Sequence, residues 1–245
     1  MGDNMLKEIK IALIVADPAE YEPCEKRCRE LSADFDLQLG NKTATLIKTV
    51  DDKKLTLSIM LCGIGKVNAA AAAAYFAAKG YKIALSTGFS GGLADTNGYD
   101  AVLGTEYLEH DFDLTVLGYK PCEKPGQTYI YPCDNDLLED YLASGKKCLC
   151  GSMVAGDCFI SSDEKSNFFR KNYNAVACDM ETAAVAAVCY KAGMKFLAIR
   201  RVSDNAGDSA AEDYSETNSS GQTNWFADVV DWILNLINNK VIWSE

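Results

Sequence analysis

The stretch Ala175–Asp208, AVACDMETAAVAAVCYKAGMKFLAIRRVSDNAGD, decides the fold. Ala175–Cys178 is a short apolar run, Met180–Ala192 is rich in alanine and long apolar side chains, and Gly193 is a helix stop. Lys195–Val202 is a second apolar run ending in Ser203-Asp204. The pattern is strand, helix, strand, acidic loop. Parallel strands joined by a helix bring both strand ends to one edge of a sheet, where ligands bind. Glu181 at the helix start and Asp204 past the second strand are therefore expected to face one cleft, as a candidate acid/base pair. Taken singly, each has a plainer role: Glu181 as a first-turn acid complementing the helix dipole, Asp204 as a loop cap.

Outward from this stretch the same alternation continues. Ile9–Ala16 is a near-continuous apolar strand, and Asp17-Pro18 opens a helix whose first turn carries Glu20, with Glu22 close behind. Ala44–Thr49 and Lys54–Cys62 read as paired strands across the polar turn Asp51-Asp52-Lys53. Gly63-Ile64-Gly65-Lys66 leads into an alanine-rich helix; GxG alone is a weak phosphate-cradle signal, and close helix packing explains it equally. Ile83–Ser86 is a strand running into the glycine-dense Thr87–Leu93. That segment, with Gly91 near its middle, is expected to be a loop that lets backbone approach a ligand. Further strands are expected at Ala101–Leu108 and Lys147–Val154, with a helix at Asp134–Gly145. Phe159 lies just past a strand end, able to stack on a flat ring or to serve as ordinary core. Trp225–Trp243 is interrupted by Asp228, Asp231, Asn235 and Asn238 at helical spacing, an amphipathic helix. The expected architecture is α/β: one domain over residues 1–245, three layers, a central mixed sheet.

Composition narrows the partners. The 245 residues carry a net charge of −11, which disfavours nucleic acid and anionic membranes but not an uncharged nucleoside. The apolar run at the N-terminus is too short to span a membrane. The 10 cysteines form no CxxC pair, and with 1 histidine a zinc site is disfavoured. Cys62, Cys178 and Cys189 sit in apolar runs as small hydrophobes. Reduced thiols and a cytoplasmic protein are expected. A Ser–His or Cys–His relay would have to be built on His110, which reads as a surface or interface residue.

These motifs together resemble the purine/uridine phosphorylase superfamily. Within it they resemble the nucleosidase branch acting on 5′-methylthioadenosine and S-adenosylhomocysteine. The resemblance rests on Ile11–Glu20, Cys62–Val67, Thr87–Leu93, His110-Asp111 with Leu114–Tyr119, Gly156–Ile160, Asp179-Met180-Glu181, and Arg200 with Ser203-Asp204. It implies a nucleoside phosphorylase-like fold and cleavage of a ribosyl C–N bond without metal or organic cofactor. By that resemblance Asp204 protonates N7 of adenine, while Ser203 and Arg200 position it and neighbouring carboxylates. Glu20, in preference to Glu22, holds the attacking water. Glu181 accepts from the ribose hydroxyls and Met180 packs on the sugar. Phe159 stacks on the base, the backbone of Ile160 reads its edge, and Tyr214 covers the 5′ substituent. Leu114 and Leu117 match places where a second subunit completes the pocket, which implies a homodimer. Phe89 stands where the family usually has a small residue, so its ring can reshape the ribose or 5′ pocket. Two other readings stay open: a phosphate-dependent phosphorylase and a non-catalytic nucleoside-binding relative. Phosphorylases of the superfamily resemble each other in placing arginines at the glycine-rich loop and near the first strand end. This chain has no cation in Thr87–Leu93 or between Ile11 and Cys24, which favours water.

Overall fold

The structure is a computed structural model and describes residues 6–219 and 224–243. Its elements are β1 (Lys7–Val15), α1 (Pro18–Glu30), β2 (Asp34–Gln38), β3 (Asn41–Val50), β4 (Lys53–Leu61), α2 (Lys66–Ala78), β5 (Ile83–Gly92), β6 (Ala101–Glu109), β7 (Ile130–Pro132), α3 (Asn135–Leu142), β8 (Cys148–Ala155), α4 (Asp163–Tyr173), β9 (Ala175–Asp179), α5 (Thr182–Ala192), β10 (Lys195–Asp204), α6 (Ala210–Ser219) and α7 (Trp225–Asn235).

The three layers follow from alternation along the central strands. In β1, Ile11, Leu13 and Val15 point into one core with Tyr21, Cys24 and Cys28 of α1 and Phe226, Val229 and Ile233 of α7. Ala12, Ile14 and Ala16 point the other way, against Ala69, Ala72, Ala73 and Phe76 of α2 and Ala183, Val185 and Cys189 of α5. Small side chains on α2 and α5 let those helices lie close to the sheet and to each other. Cys62, Cys178 and Cys189 are buried free thiols, as their apolar context suggests. The amphipathic C-terminal segment is shorter than its pattern: α7 stops at Asn235, and two 3₁₀ turns follow, separated by Asn239 in an extended conformation. No helix among the described residues is long and apolar enough to cross a membrane.

The expected α/β architecture with a mixed sheet is present, but the sheet closes on itself. Its order is β10-β6-β8-β9-β5-β1-β4-β3-β2, and β10 also pairs with β5. Strands β5, β10, β6, β8 and β9 thus form a ring, from which β1, β4, β3 and β2 extend as an open arm. This corrects two expectations. First, β9 and β10 are not parallel neighbours. β9 runs parallel to β8 and antiparallel to β5, and β5 meets β9 only at Gly91–Cys178 and Gly92–Ala177. Second, Thr87–Gly92 is not a loop but the end of β5, paired with β10 from Thr87 opposite Ile199 to Gly91 opposite Asp204. Tip-to-tip contact, rather than side-by-side pairing, brings the ends of β9 and β10 together.

Tyr107 locks the ring from inside. It is wholly buried; its hydroxyl donates to the Gly104 carbonyl at 2.9 Å and accepts the Ala198 N–H at 2.8 Å, joining β6 to β10. Gly104 is required there, because a Cβ would lie 2.6–2.7 Å from the tyrosine ring and hydroxyl. Tyr107→Phe should leave the Ala198 N–H buried without a partner, lowering stability by about 1–3 kcal/mol. The check is a lower urea midpoint with an unchanged m-value.

Candidate active site

A cavity of about 420 Å³ opens where strand ends converge. Its lining comes from the segments just after β1, β4 and β8, from the ends of β5, β9 and β10, and from α6. These are C-terminal strand ends, the edge at which α/β sheets bind ligands.

Glu20 reaches this cavity through the cap of α1. The Asp17 side chain accepts the Ala19 N–H at 2.7 Å, and Glu20 Oε2 accepts the Asp17 N–H at 3.3 Å, a reciprocal capping box with Pro18 at the first helical position. Glu20 Oε1 accepts the Phe89 N–H at 2.6 Å. Its carboxyl is buried and lines the cavity, whereas Glu22 is exposed and lies outside it. Burial pushes the Glu20 carboxyl up to about 8, against the pull of Arg200 and the Phe89 N–H.

Glu181 occupies the cap position of α5 and takes no capping bond. Asp179 does that work instead, accepting the N–H groups of Glu181 and Thr182, each at 2.9 Å. Glu181 is thereby free to turn into the cavity, where Oε1 accepts the Gly65 N–H at 2.9 Å. Burial raises its carboxyl above the usual carboxylate range, with Arg200 opposing. Asp204 is aimed by a β-bulge: β10 pairs Val202 with Ser90 and Asp204 with Gly91, leaving Ser203 as the extra residue. The Asp204 carboxylate accepts the Ser203 hydroxyl at 2.7 Å and the Ala206 N–H at 2.8 Å. Burial raises it as well, helped by the charge of Asp213.

Arg200 lies beneath these acids with 1% of its surface exposed. Its Nε is 3.4 Å from Asp179 Oδ2 and its Nη2 3.7 Å from Glu181 Oε2; Nη2 also donates to Ser86 Oγ at 3.1 Å. A Cβ on Gly88 would sit against Arg200 and within 2.8 Å of both Glu20 carboxylate oxygens. On Gly91 it would be 3.0 Å from Asp204 Oδ1 and from Cys178 Sγ. The glycines of β5 are the space into which these charged groups fit.

Of the other residues singled out in the sequence, Phe159, Ile160, Met180, Ser203, Tyr214, Phe89 and Gly91 all line the cavity. Phe159 is 46% exposed and meets Tyr214 edge-on at 5.9 Å, so it is a wall of the cavity and not core. Phe89 packs its ring edge-on against Phe226 at 5.1 Å and Tyr214 at 6.2 Å, so most of its bulk is absorbed by the core beneath α7. Leu114 and Leu117 lie outside the cavity on a surface turn, with Leu117 68% exposed. His110 is half-buried, its ring against Phe169 at 5.0 Å and its Nε2 enclosed. Ile64 and Cys158 line the cavity without having been named as site residues, and Cys178, read only as a small hydrophobe, lines it too. Ile64 was legible as the residue between two turn glycines, and Cys158 as the neighbour of Phe159. No arginine or lysine is among the described residues that line it.

This fold and this acid-lined cavity define a class of ligand-binding α/β proteins, and the comparisons place the chain within it. The chain belongs to the phosphorylase superfamily, whose family model matches residues 10–231. It is 31% identical over 183 residues to the 5′-methylthioadenosine/S-adenosylhomocysteine nucleosidase of Anoxybacillus flavithermus, covering 69% of this chain and 79% of that protein. It is 35% identical over 162 residues to the nucleosidase of the same name from Shewanella piezotolerans, covering 63% and 70%. Among solved structures, that of the nucleosidase of the same name from Neisseria meningitidis, in complex with methylthio-immucillin-A, matches with a TM-score of 0.77 and 29% identity, covering 93% of this chain and 99% of that one. The resemblance to the nucleosidase branch is therefore borne out.

A carboxyl raised from 4.5 to about 8 favours the native state fully only while the unfolded chain also holds its proton. Above about pH 4.5 the unfolded state releases that proton and the folded state keeps it until about pH 8. Stability relative to Glu20→Gln should therefore fall across this window, by at most about 1.4 kcal/mol per pH unit. Urea midpoints of both proteins between about pH 4.5 and 8 check it; parallel curves would contradict the buried, raised carboxyl.

Proposed function

We propose that the chain hydrolyses the N-glycosidic bond of 5′-methylthioadenosine, S-adenosylhomocysteine or a related purine nucleoside, releasing adenine. The observation that carries this reading is a cavity lined by Glu20, Glu181 and Asp204 with no cationic side chain among the described residues of its wall. The named activity of the relatives supports it.

In this reaction the C1′–N9 bond breaks and its electron pair leaves with the base. Asp204, whose hold on a proton burial strengthens, gives its proton to N7, so that the purine departs neutral. Glu20 in its ionised form holds water on the opposite face of the sugar. It takes the water's proton as oxygen bonds to C1′. Its hydrogen bond from the Phe89 N–H fixes the carboxylate for that task. Glu181, anchored by the Gly65 N–H, accepts from the ribose hydroxyls. Met180 packs on the sugar, Phe159 stacks on the base and the backbone of Ile160 reads its edge. Tyr214 covers the 5′ substituent. The exposed apolar turn bearing Leu114 and Leu117 is suited to completing the 5′ end of a neighbour's cavity, so the working form is a homodimer. A site for a phosphate nucleophile would usually bring a cationic group to the cavity wall. Arg200, the guanidinium beneath it, is already held by Asp179, Glu181 and Ser86.

Product analysis with 5′-methylthioadenosine should give free adenine and unphosphorylated methylthioribose, in phosphate-free buffer and equally with phosphate added. Turnover only with phosphate, yielding the sugar 1-phosphate, would replace hydrolysis by phosphorolysis; no turnover in either buffer would point to a binding protein. Asp204→Asn should lower kcat by about 10²–10⁴-fold while ligand binding persists in calorimetry. Retained turnover in that variant would remove the acid assignment.

A further inference from the structure

Helix α2 begins at the cavity, yet its own cap residue cannot cap it. Gly65 has φ +98°, a left-handed conformation suited to glycine, and offers no side chain. The free N–H of Lys66 is instead taken at 2.7 Å by Oδ1 of Asp157, 91 residues further along the chain. A carboxylate at a helix N-terminus is favoured by both the hydrogen bond and the helix dipole. Asp157 immediately precedes Cys158-Phe159-Ile160, the segment forming one wall of the cavity.

The same two segments are tied a second time. The Lys66 ammonium bonds Asp111 Oδ1 at 2.6 Å and Glu109 Oε2 at 3.0 Å. Asp111 Oδ2 accepts the Asp157 N–H at 2.9 Å. Lys124 holds the other Glu109 oxygen. On the cavity side, Gly65 donates to Glu181. A continuous path therefore runs from the candidate ribose acceptor Glu181, through Gly65 and Lys66, to Asp157 and the candidate base-stacking Phe159.

We propose that Asp157 and Lys66 are positioning residues that act as a latch, fixing the distance between the sugar-binding and base-stacking walls of the cavity. This rests on the reaction proposed above. The latch touches no reacting atom. It holds groups that bind substrate and transition state alike, so its loss should raise KM and spare kcat.

The test compares wild type, Asp157→Ala, Asp157→Asn and Lys66→Met with 5′-methylthioadenosine, alongside thermal unfolding. Expected are a KM raised about tenfold or more in Asp157→Ala with kcat within about threefold, and substantial recovery in Asp157→Asn, whose amide oxygen can still cap α2. Lys66→Met, which keeps the backbone cap, should show a smaller rise. Should Asp157→Ala not fold, Lys66→Met decides. A variant that melts earlier but keeps the wild-type KM would make the network a structural brace and overturn the latch. If wild type leaves the nucleoside intact, the fault lies with the proposed reaction. Adenine affinity by calorimetry then reads the latch: weaker binding in Asp157→Ala supports it and equal binding overturns it.

Discussion

The site depends on one buried guanidinium. Arg200 sits almost wholly out of water, beside Asp179 and Glu181 and close to Glu20. A buried cation is tolerated only when paired, and buried acids only when neutralised or hydrogen-bonded. Each side therefore requires the other. One positive charge does not balance three ionised carboxylates, so at least one of them is pushed toward holding its proton. That is the direction in which burial moves both Glu20 and Glu181. Burial thus lifts the Glu20 carboxyl even against the attraction of Arg200, and a carboxyl at about 8 has the property expected of a functional-site group working near neutral pH.

Bringing these groups together is a problem of backbone space, and β5 solves it. Glu20 arrives from the cap of α1, Glu181 from the cap of α5, and Asp204 from the bulged end of β10. Glu20 closes on Gly88 and Asp204 on Gly91, where a Cβ would occupy the volume now filled by their carboxylates, by Arg200 and by Cys178. The closed ring supplies the remaining geometry. β9 and β10 point in opposite directions, and only because β5 touches β9 tip to tip do their ends share one cavity.

This explains which parts of the molecule the sequence discloses. The layers were legible because a near-continuous apolar run such as Ile9–Ala16 marks a strand covered on both faces, and Ile11–Ala16 does alternate between two cores. Glu20 could be told from Glu22 by local chemistry alone: Asp17-Pro18-Ala19-Glu20 has the spacing of a capping box, which turns the fourth residue back toward the strand end. Thr87–Gly92 misleads because glycine density usually marks a loop. Here the glycines are set by side chains from distant segments, a constraint with no local trace. The closing of the ring was invisible for the same reason, resting on two residue pairs between β5 and β9. The short strands β2 and β7 carry too little pattern to announce themselves.

The same reasoning bears on the choice between water and phosphate. In an open cleft the absence of a cation from the wall would say little, since an anion can be held by backbone N–H groups alone. Here two N–H groups beside the acids are already used: that of Phe89 by Glu20, and that of Gly65 by Glu181. A phosphate dianion entering this space would meet acidic side chains and occupied donors, while Arg200 could turn toward it only by abandoning Asp179 and Glu181 inside the protein. In the proposed reaction a neutral water meets none of these penalties, and Glu20 is the carboxyl placed to receive its proton. The burial of Arg200 and the identity of the nucleophile are therefore one question: the charge that could have bound phosphate is spent on holding the acids in place.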